Sequence, residues 1–389
     1  MQPLGAKTPS IHLTITPHKN GLNNLSPSNH TTEAWVTNQW EELLSHAPIG
    51  IAERFIALGG DSKKAKVFIH RVALRYEYQL TTATVFQFPT IQQLARIIDK
   101  KQSFNDDDVL VPLQPDGNHP PFFLIHTVGG CPFWGYAEIV RHLDPDQPVY
   151  GFRHTPAQSQ EQCSDIRQMA ALYVRRLRAF LPTGPYLIGG YCFGGNIAYE
   201  MARLLDEQGQ PAHLVALLNS SPPNGSYDHM SYTPRTALLF AGNLAGWLWT
   251  FAQSTWTFKY QYARWRILSL REKTNALLSR PSESSGEAYA HLIDFNLFPQ
   301  ALWPIVRNHI QSILDYDPKA YSGHVTLIRT RTHCFRCSFD RHYGWQELAH
   351  GGVDLHVIPG THENMMDEPY VRHLALALTQ ALTSAVQPR

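Results

Sequence analysis

Gly190-Tyr191-Cys192-Phe193-Gly194 reads G-x-C-x-G, the nucleophile-elbow pattern with cysteine where serine is usual. A short apolar run, Tyr186 to Ile188, precedes it. A helical pattern over Asn196 to Gln208 follows, with Ile197, Met201, Leu204 and Leu205 on one face and Gly209 as the stop. Strand, sharp turn and helix are the context that this motif requires. The glycines permit a strained turn, and the helix that follows sets its positive end and free N–H groups beside the thiol. A thiol placed there is expected to be reactive. The alternative for so short a motif is a buried cysteine in a tight strand-to-helix turn.

The chain has 389 residues, enough for two domains or one large α/β domain with appendages. Its 33 basic and 32 acidic residues nearly cancel, which gives no electrostatic footprint for nucleic acid. No run of about 18 apolar residues is present, and residues 1–31 lack the apolar centre of a secretion signal, so no membrane partner and a cytoplasmic location are expected. Five cysteines, at 131, 163, 192, 334 and 337, are odd in number and scattered, unlike a disulfide framework. Cys334-Phe-Arg-Cys337 has no second pair at zinc-site spacing, and no metal is expected.

Residues 1–31 read as a flexible tail rich in Pro, Asn, Ser, Thr and His. From residue 32 to 100 the pattern is helical. Trp35, Trp40, Leu43 and Leu44 suggest a first helix, Ala65, Phe68, Ile69 and Val72 a second over 62–74, and Ile91, Leu94, Ala95 and Ile98 a last one. Leu58-Gly59-Gly60-Asp61-Ser62 opens the second helix, and Phe86-x-Phe88-Pro89-Thr90-Ile91 precedes the last. This combination resembles the peptidyl or acyl carrier domain of nonribosomal peptide and polyketide synthetases, a small four-helix bundle. The resemblance implies that Ser62 carries 4′-phosphopantetheine, added by a phosphopantetheinyl transferase, with Asp61 assisting. A hydroxyl at a helix N-terminus suits a phosphodiester. Asp61 and Ser62 also fit a plain helix cap.

Residues 101–120, with an Asp106-Asp107-Asp108 run and prolines at 112, 115 and 120, read as a linker. From 121 to 389 the chain alternates strands and helices. Strands are expected at Phe122–His126, Val149–Phe152, His213–Leu218, Val325–Arg329 and Val353–Ile358, with helices near Trp134–Leu143 and from a Ser164 cap to Phe180. That alternation implies a mainly parallel sheet. Residues 222–315 interrupt it with a helical pattern rich in aromatics, too long for a connecting loop, and read as an inserted lid.

Phe123-x-x-His126-x-x-Gly129-Gly130, the glycine-flanked Cys192 and Pro359-Gly360-Thr361-His362 resemble, in order and spacing, the thioesterase domain that ends such assembly lines, an α/β-hydrolase relative. The resemblance implies that Cys192 is the nucleophile and His362 its base. It places the oxyanion hole on the backbone N–H of Phe193 with a second donor at Thr127 or Val128. The sequence departs from the family at the third member, where many relatives have aspartate and this chain has Asn219. Either Asn219 orients the imidazole, as in Cys-His-Asn sites, or the acid has moved to Asp340; Asn219 is preferred.

The expected molecule is thus an all-α carrier bundle followed by an α/β-hydrolase domain with a helical lid. It would take an acyl or peptidyl thioester, loaded by upstream synthetase modules or a separate enzyme, and release it by cyclisation, condensation or hydrolysis. An acyltransferase or editing thioesterase, or a docking module with an inactive hydrolase fold, are the alternatives.

Overall fold

The computed structural model describes residues 31–55, 58–80, 84–85, 88, 90–101, 109–130, 133–155, 165–223, 302–332 and 341–387, with single positions at 241, 244, 248, 251, 252 and 259. Among the described residues of the N-terminal unit the helices are α1 (Thr32–Leu44), α2 (Ser62–Tyr76) and α3 (Ile91–Lys100). Each begins on a side-chain cap. Thr31 accepts from the Ala34 N–H, Asp61 from Lys64, and Thr90 pairs with Gln93 in a reciprocal capping box. Thr31 therefore belongs to the first helix and not to the tail. Trp40, Phe55 and Phe68 are fully buried at the centre, with the Trp40 and Phe55 rings 4.9 Å apart. The expected fourth helix is not among the elements described, and part of the α2–α3 connection lies outside the described residues.

Among the described residues seven strands form one sheet in the order β1-β3-β2-β4-β5-β6-β7. They are β1 (Leu110–Gln114), β2 (Phe122–Ile125), β3 (Val149–Phe152), β4 (Leu187–Tyr191), β5 (Leu214–Leu218), β6 (Val325–Thr330) and β7 (Val353–Ile358). Only β1 runs antiparallel to its neighbour. The linker expected over 101–120 is accordingly shorter: Leu110–Gln114 is an edge strand with Val111 and Leu113 buried. Pro112 hides it in the sequence, yet an edge strand tolerates proline because one side of its backbone needs no ladder bond.

The helices between strands are α4 (Phe133–His142), α5 (Ile166–Phe180) and α6 (Phe193–Glu207), then α7 (Trp303–Leu314) and α8 (Val371–Val386). Asp165, not Ser164, caps α5. Both sheet faces are covered, so strands such as Phe122–Ile125 and Leu214–Leu218 are buried at every position. Phe122, Leu124, Ala216 and Leu218 face α4 and α8, whereas Phe123, Ile125, Val215 and Leu217 face α5 and α6. Each large side chain buried in this way contributes about 1.5–3 kcal/mol.

Most of the expected lid lies outside the described residues; its final part is α7, with Val306, His309 and Ile310 buried. No helix among the described residues is long and apolar enough to cross a membrane. Chain order reverses on either side of β2, and the crevice at the carboxyl ends of β2 and β4 is where open α/β sheets place their ligands.

Candidate active site

Cys192 joins β4 to α6 with φ 52° and ψ −112°, a conformation that L-residues rarely hold. Packing of the glycines enforces it. A Cβ on Gly190 would stand 2.3 Å from the carbonyl carbon of Gly194. One on Gly194 would meet the Ile125 carbonyl oxygen at 2.5 Å, and one on Gly195 the Ser220 Cβ at 2.4 Å. Backbone atoms cannot move aside for a methyl group, so the first turn of α6 is clamped against the ends of β2, β4 and β5.

Polar contacts complete the clamp. The Cys192 N–H donates to the Leu218 carbonyl at 3.0 Å, and the Cys192 carbonyl accepts from the Ser220 hydroxyl at 2.8 Å. Asn196 Nδ2 reaches Ser220 Oγ at 3.2 Å, and Trp345 Nε1 donates to the Ser220 carbonyl at 2.8 Å. On the other side of the strand the buried Tyr136 hydroxyl accepts from the Tyr191 N–H at 2.8 Å and donates to the Ile125 carbonyl at 2.6 Å. Burial pushes the Tyr136 phenol well above its ordinary range, so it stays a donor at every physiological pH.

His362 follows β7 and comes to the elbow as the sequence pattern requires. Its ring stacks on Tyr191, with centroids 4.9 Å apart, and its carbonyl accepts from the Tyr191 hydroxyl. Its Nδ1 lies 2.8 Å from the side-chain amide of Asn219, which follows β5 with a left-handed φ of 46°. Asparagine tolerates that conformation well. Asn219 is also tied to β6, because the Ile328 carbonyl accepts its N–H at 2.7 Å and the Thr330 N–H donates to its Oδ1 at 3.1 Å. Asp340 lies outside the described residues.

Phe193 opens α6, so its N–H has no acceptor within the helix. Gly194 sits on the carbonyls of Ile125 and His126, which brings the start of α6 against the Thr127-Val128 turn. Among the described residues no backbone hydrogen bond engages the N–H of Thr127 or Val128, whereas the Gly129 N–H donates to His309 Nδ1 at 3.3 Å.

Beneath this turn lie three imidazoles, of His126, His154 and His309, whose ligand atoms fall within 4.8 Å of one another. His126 Nδ1 contacts the Thr127 carbonyl at 2.8 Å and its Nε2 the Tyr173 hydroxyl at 2.7 Å. Both nitrogens of that ring are thereby engaged. Phe193, His309 and His126 form a continuous stack with centroids 4.7 and 5.2 Å apart. Burial is the first cause that holds all three imidazoles neutral, His126 at about 3, His154 at about 4 and His309 well below its ordinary value. The three neutral rings pack together under the turn. Sequence reasoning missed it, since the only trace of His309 is one histidine on an apolar helical face beside Val306 and Ile310.

In the N-terminal unit, Asp61 caps α2 and Ser62 is its first helical residue. Gly60 has to be glycine, because a Cβ there would stand 2.3 Å from the Phe55 ring and 2.5 Å from the Phe55 carbonyl oxygen. The first turn of α2 carries no acidic residue, and Lys63 and Lys64 follow Ser62. A helix N-terminus with this charge pattern fits a phosphodiester on Ser62.

Comparison with known proteins agrees with both halves. Residues 34–98 match the family model described as a phosphopantetheine attachment site, and residues 120–378 match that of the thioesterase domain. Malpinin synthetase of Mortierella alpina is 36% identical over 184 residues, which is 46% of this chain and 2% of that protein. Chondramide synthase cmdD of Chondromyces crocatus is 26% identical over 367 residues, 90% of this chain and 9% of that protein. The chain thus spans a small fraction of the relatives it matches. Among solved structures, holo-AB3403, a four-domain nonribosomal peptide synthetase bound to AMP and glycine, superposes with a TM-score of 0.50 over 94% of this chain and 27% of that one, at 22% identity, a likeness of fold. A match that covers well over half of the residues places this chain in the thioesterase domain family, preceded by a phosphopantetheine-attachment carrier domain.

Proposed function

We propose that this chain carries out chain release in nonribosomal peptide-type biosynthesis. Cys192 accepts an acyl or peptidyl group from the carrier domain and passes it on by cyclisation, condensation or hydrolysis. The observation that carries this reading is the strained elbow itself, with Cys192 at the N-terminus of α6 and the Asn219–His362 pair at the ends of β5 and β7.

Ser62 is the proposed attachment point for 4′-phosphopantetheine, which supplies when bound the thiol that bears the acyl group as a thioester. A phosphopantetheinyl transferase and upstream modules or a loading enzyme are the implied partners. Cys192 Sγ attacks the acyl carbonyl, and the oxyanion is received by the Phe193 N–H with the N–H of Val128 or Thr127. The carbon–sulfur bond to the carrier breaks as the one to Cys192 forms; Cys192 gives up its thiol proton to solvent on ionising, and the departing carrier thiolate takes one back from solvent. Asn219 fills the in-plane site at Nδ1 of His362, which supports Asn219 over Asp340 as the third member and leaves Nε2 to serve Cys192. Cysteine suits an acyl group that must stay activated, since thioester is exchanged for thioester of nearly equal energy, whereas serine would give a more stable oxyester.

The test is intact and peptide-level mass spectrometry after loading the chain with a simple acyl-pantetheine, comparing wild type with Cys192→Ala. Acyl mass on Ser62 and then on Cys192 is the expected course. Acyl mass that stays on Ser62 equally in both proteins would refute the catalytic reading and leave a carrier with a binding domain.

A further inference from the structure

The amide of Asn219 has a fixed polarity. The Thr330 N–H, a group that can only donate, lies 3.1 Å from one end of the side chain, so that end is the carbonyl oxygen. The Tyr343 hydroxyl lies 3.3 Å from the same oxygen. The Thr330 hydroxyl is 3.4 Å away, but its proton goes to the Thr332 carbonyl at 2.8 Å. The end that faces His362 Nδ1 at 2.8 Å is therefore the NH₂ group. An amide NH₂ only donates, so Nδ1 must accept, and the ring proton of neutral His362 resides on Nε2.

A carboxylate here would do the opposite. It would accept from the Thr330 N–H and from Nδ1–H together, and so stabilise the imidazolium that forms when the ring acts as a base. Asparagine cannot satisfy both donors at once. A turned amide would face the Thr330 N–H with a second donor and leave that buried group unsatisfied, at a cost of about 1–3 kcal/mol.

We propose that Asn219 is a positioning residue that holds His362 in the Nε2–H tautomer, so that His362 meets Cys192 and the acyl-enzyme as a hydrogen-bond donor and not as a base. This rests on Cys192 and His362 acting as the pair described above.

The consequence falls unequally on the two half-reactions. Exchange of one thioester for another needs no base, because a thiolate attacks, a thiolate leaves, and Nε2–H donates to whichever sulfur is charged. Attack by water needs a base to take its proton as the C–O bond forms, and an Nε2 that already carries hydrogen cannot do so. An amine attacks as its neutral form and sheds its proton to solvent from the tetrahedral adduct, which expels the Cys192 thiolate. The site accordingly disfavours hydrolysis and favours release to an amine. The titratable groups around the pair, among the described residues, include Cys192, Tyr191, Tyr136 behind the elbow, Tyr343 and, across the Tyr343 ring at 5.4 Å, Arg329.

Nitrogen-15 NMR of the histidine-labelled full chain decides the matter directly, with His362→Gln assigning the resonances. The expected result is an unprotonated Nδ1 and a protonated Nε2 in wild type; a protonated Nδ1 would overturn the proposal. Asn219→Asp should reverse the tautomer and shift the pH profile of Cys192 alkylation by iodoacetamide, read on the Cys192 peptide, to lower pH by about one unit or more. It should also raise hydrolysis over aminolysis of an acyl-Cys192 adduct by about 100-fold. An unchanged alkylation profile in a folded Asn219→Asp protein would likewise sink the idea, and if that variant does not fold, the wild-type spectrum alone decides. The tautomer and alkylation measurements need no acyl group. Failure of acyl transfer in the mass-spectrometric test would therefore remove the proposed function while leaving the tautomer assignment standing.

Discussion

Tyr136→Phe is the most informative single change near the elbow. The side chain is fully buried, and the substitution keeps the ring and removes one oxygen. Two hydrogen bonds go with that oxygen, the donation to the Ile125 carbonyl at 2.6 Å and the acceptance from the Tyr191 N–H at 2.8 Å. Each such bond is worth about 0.5–1.5 kcal/mol net, and a backbone N–H left without an acceptor adds about 1–3 kcal/mol. The sum is about 3 kcal/mol. For a domain of this size that corresponds to a fall in Tm of roughly 6–12 °C in the α/β transition, measurable by calorimetry. Because the lost acceptor serves the residue next to Cys192, the rate of Cys192 alkylation should change as well. A Tm within about 1 °C of wild type, with an unchanged alkylation rate, would show that the hydroxyl does not hold the elbow and would refute the clamp.

Three further outcomes are expected. Cys192→Ser should fold with wild-type stability and redirect acyl groups to slow hydrolysis or a stalled oxyester, so identical products at identical rates would defeat the energetic argument for cysteine. Ser62→Ala should abolish the mass gained on incubation with a phosphopantetheinyl transferase and coenzyme A; gain at another residue would relocate the attachment site. His126, held at about 3, and His154, at about 4, lie below the ordinary 6.5 in the folded state, so the unfolded chain binds more protons than the native one between those values. Thermal stability should therefore be level in pH above about 6.5 and fall as pH drops towards 4, and His154→Gln should flatten the slope.

The elbow was legible because its cause is local. Gly190 is needed by a contact with Gly194 within the turn itself, and although Gly194 and Gly195 are needed against Ile125, His126 and Ser220 elsewhere in the chain, all three fall in one short stretch whose spacing the sequence displays. Strands buried on both faces, such as Leu214–Leu218, were legible as continuous apolar runs. β1 was not, since its proline removes the signal that its antiparallel partner β3 supplies in space. The position of Asn219 could be read from chain order, but its polarity could not. That is fixed by the N–H of Thr330, 111 residues away, and the analogy with Cys-His-Asn sites carried no information about which end of the amide meets the ring. Tyr136 and His309 escaped notice for a different reason. Both serve the core as well as the site, and a residue with a sufficient packing role shows no pattern that marks the second.

The conformation of residue 192 is imposed entirely through its backbone. Its N–H, its carbonyl and the neighbouring glycines take the strain, and its side chain makes no capping bond. The fold is therefore indifferent to which nucleophile occupies the position. Over evolutionary time, serine and cysteine can exchange there without passing through an unfolded intermediate sequence, and a lineage can try a change of leaving-group energetics in one step. Exchange at Asn219 is not neutral in the same way, because its partners on β6 and after β7 read both ends of its side chain, so the nucleophile is free to drift while its polar neighbour constrains what each choice can do.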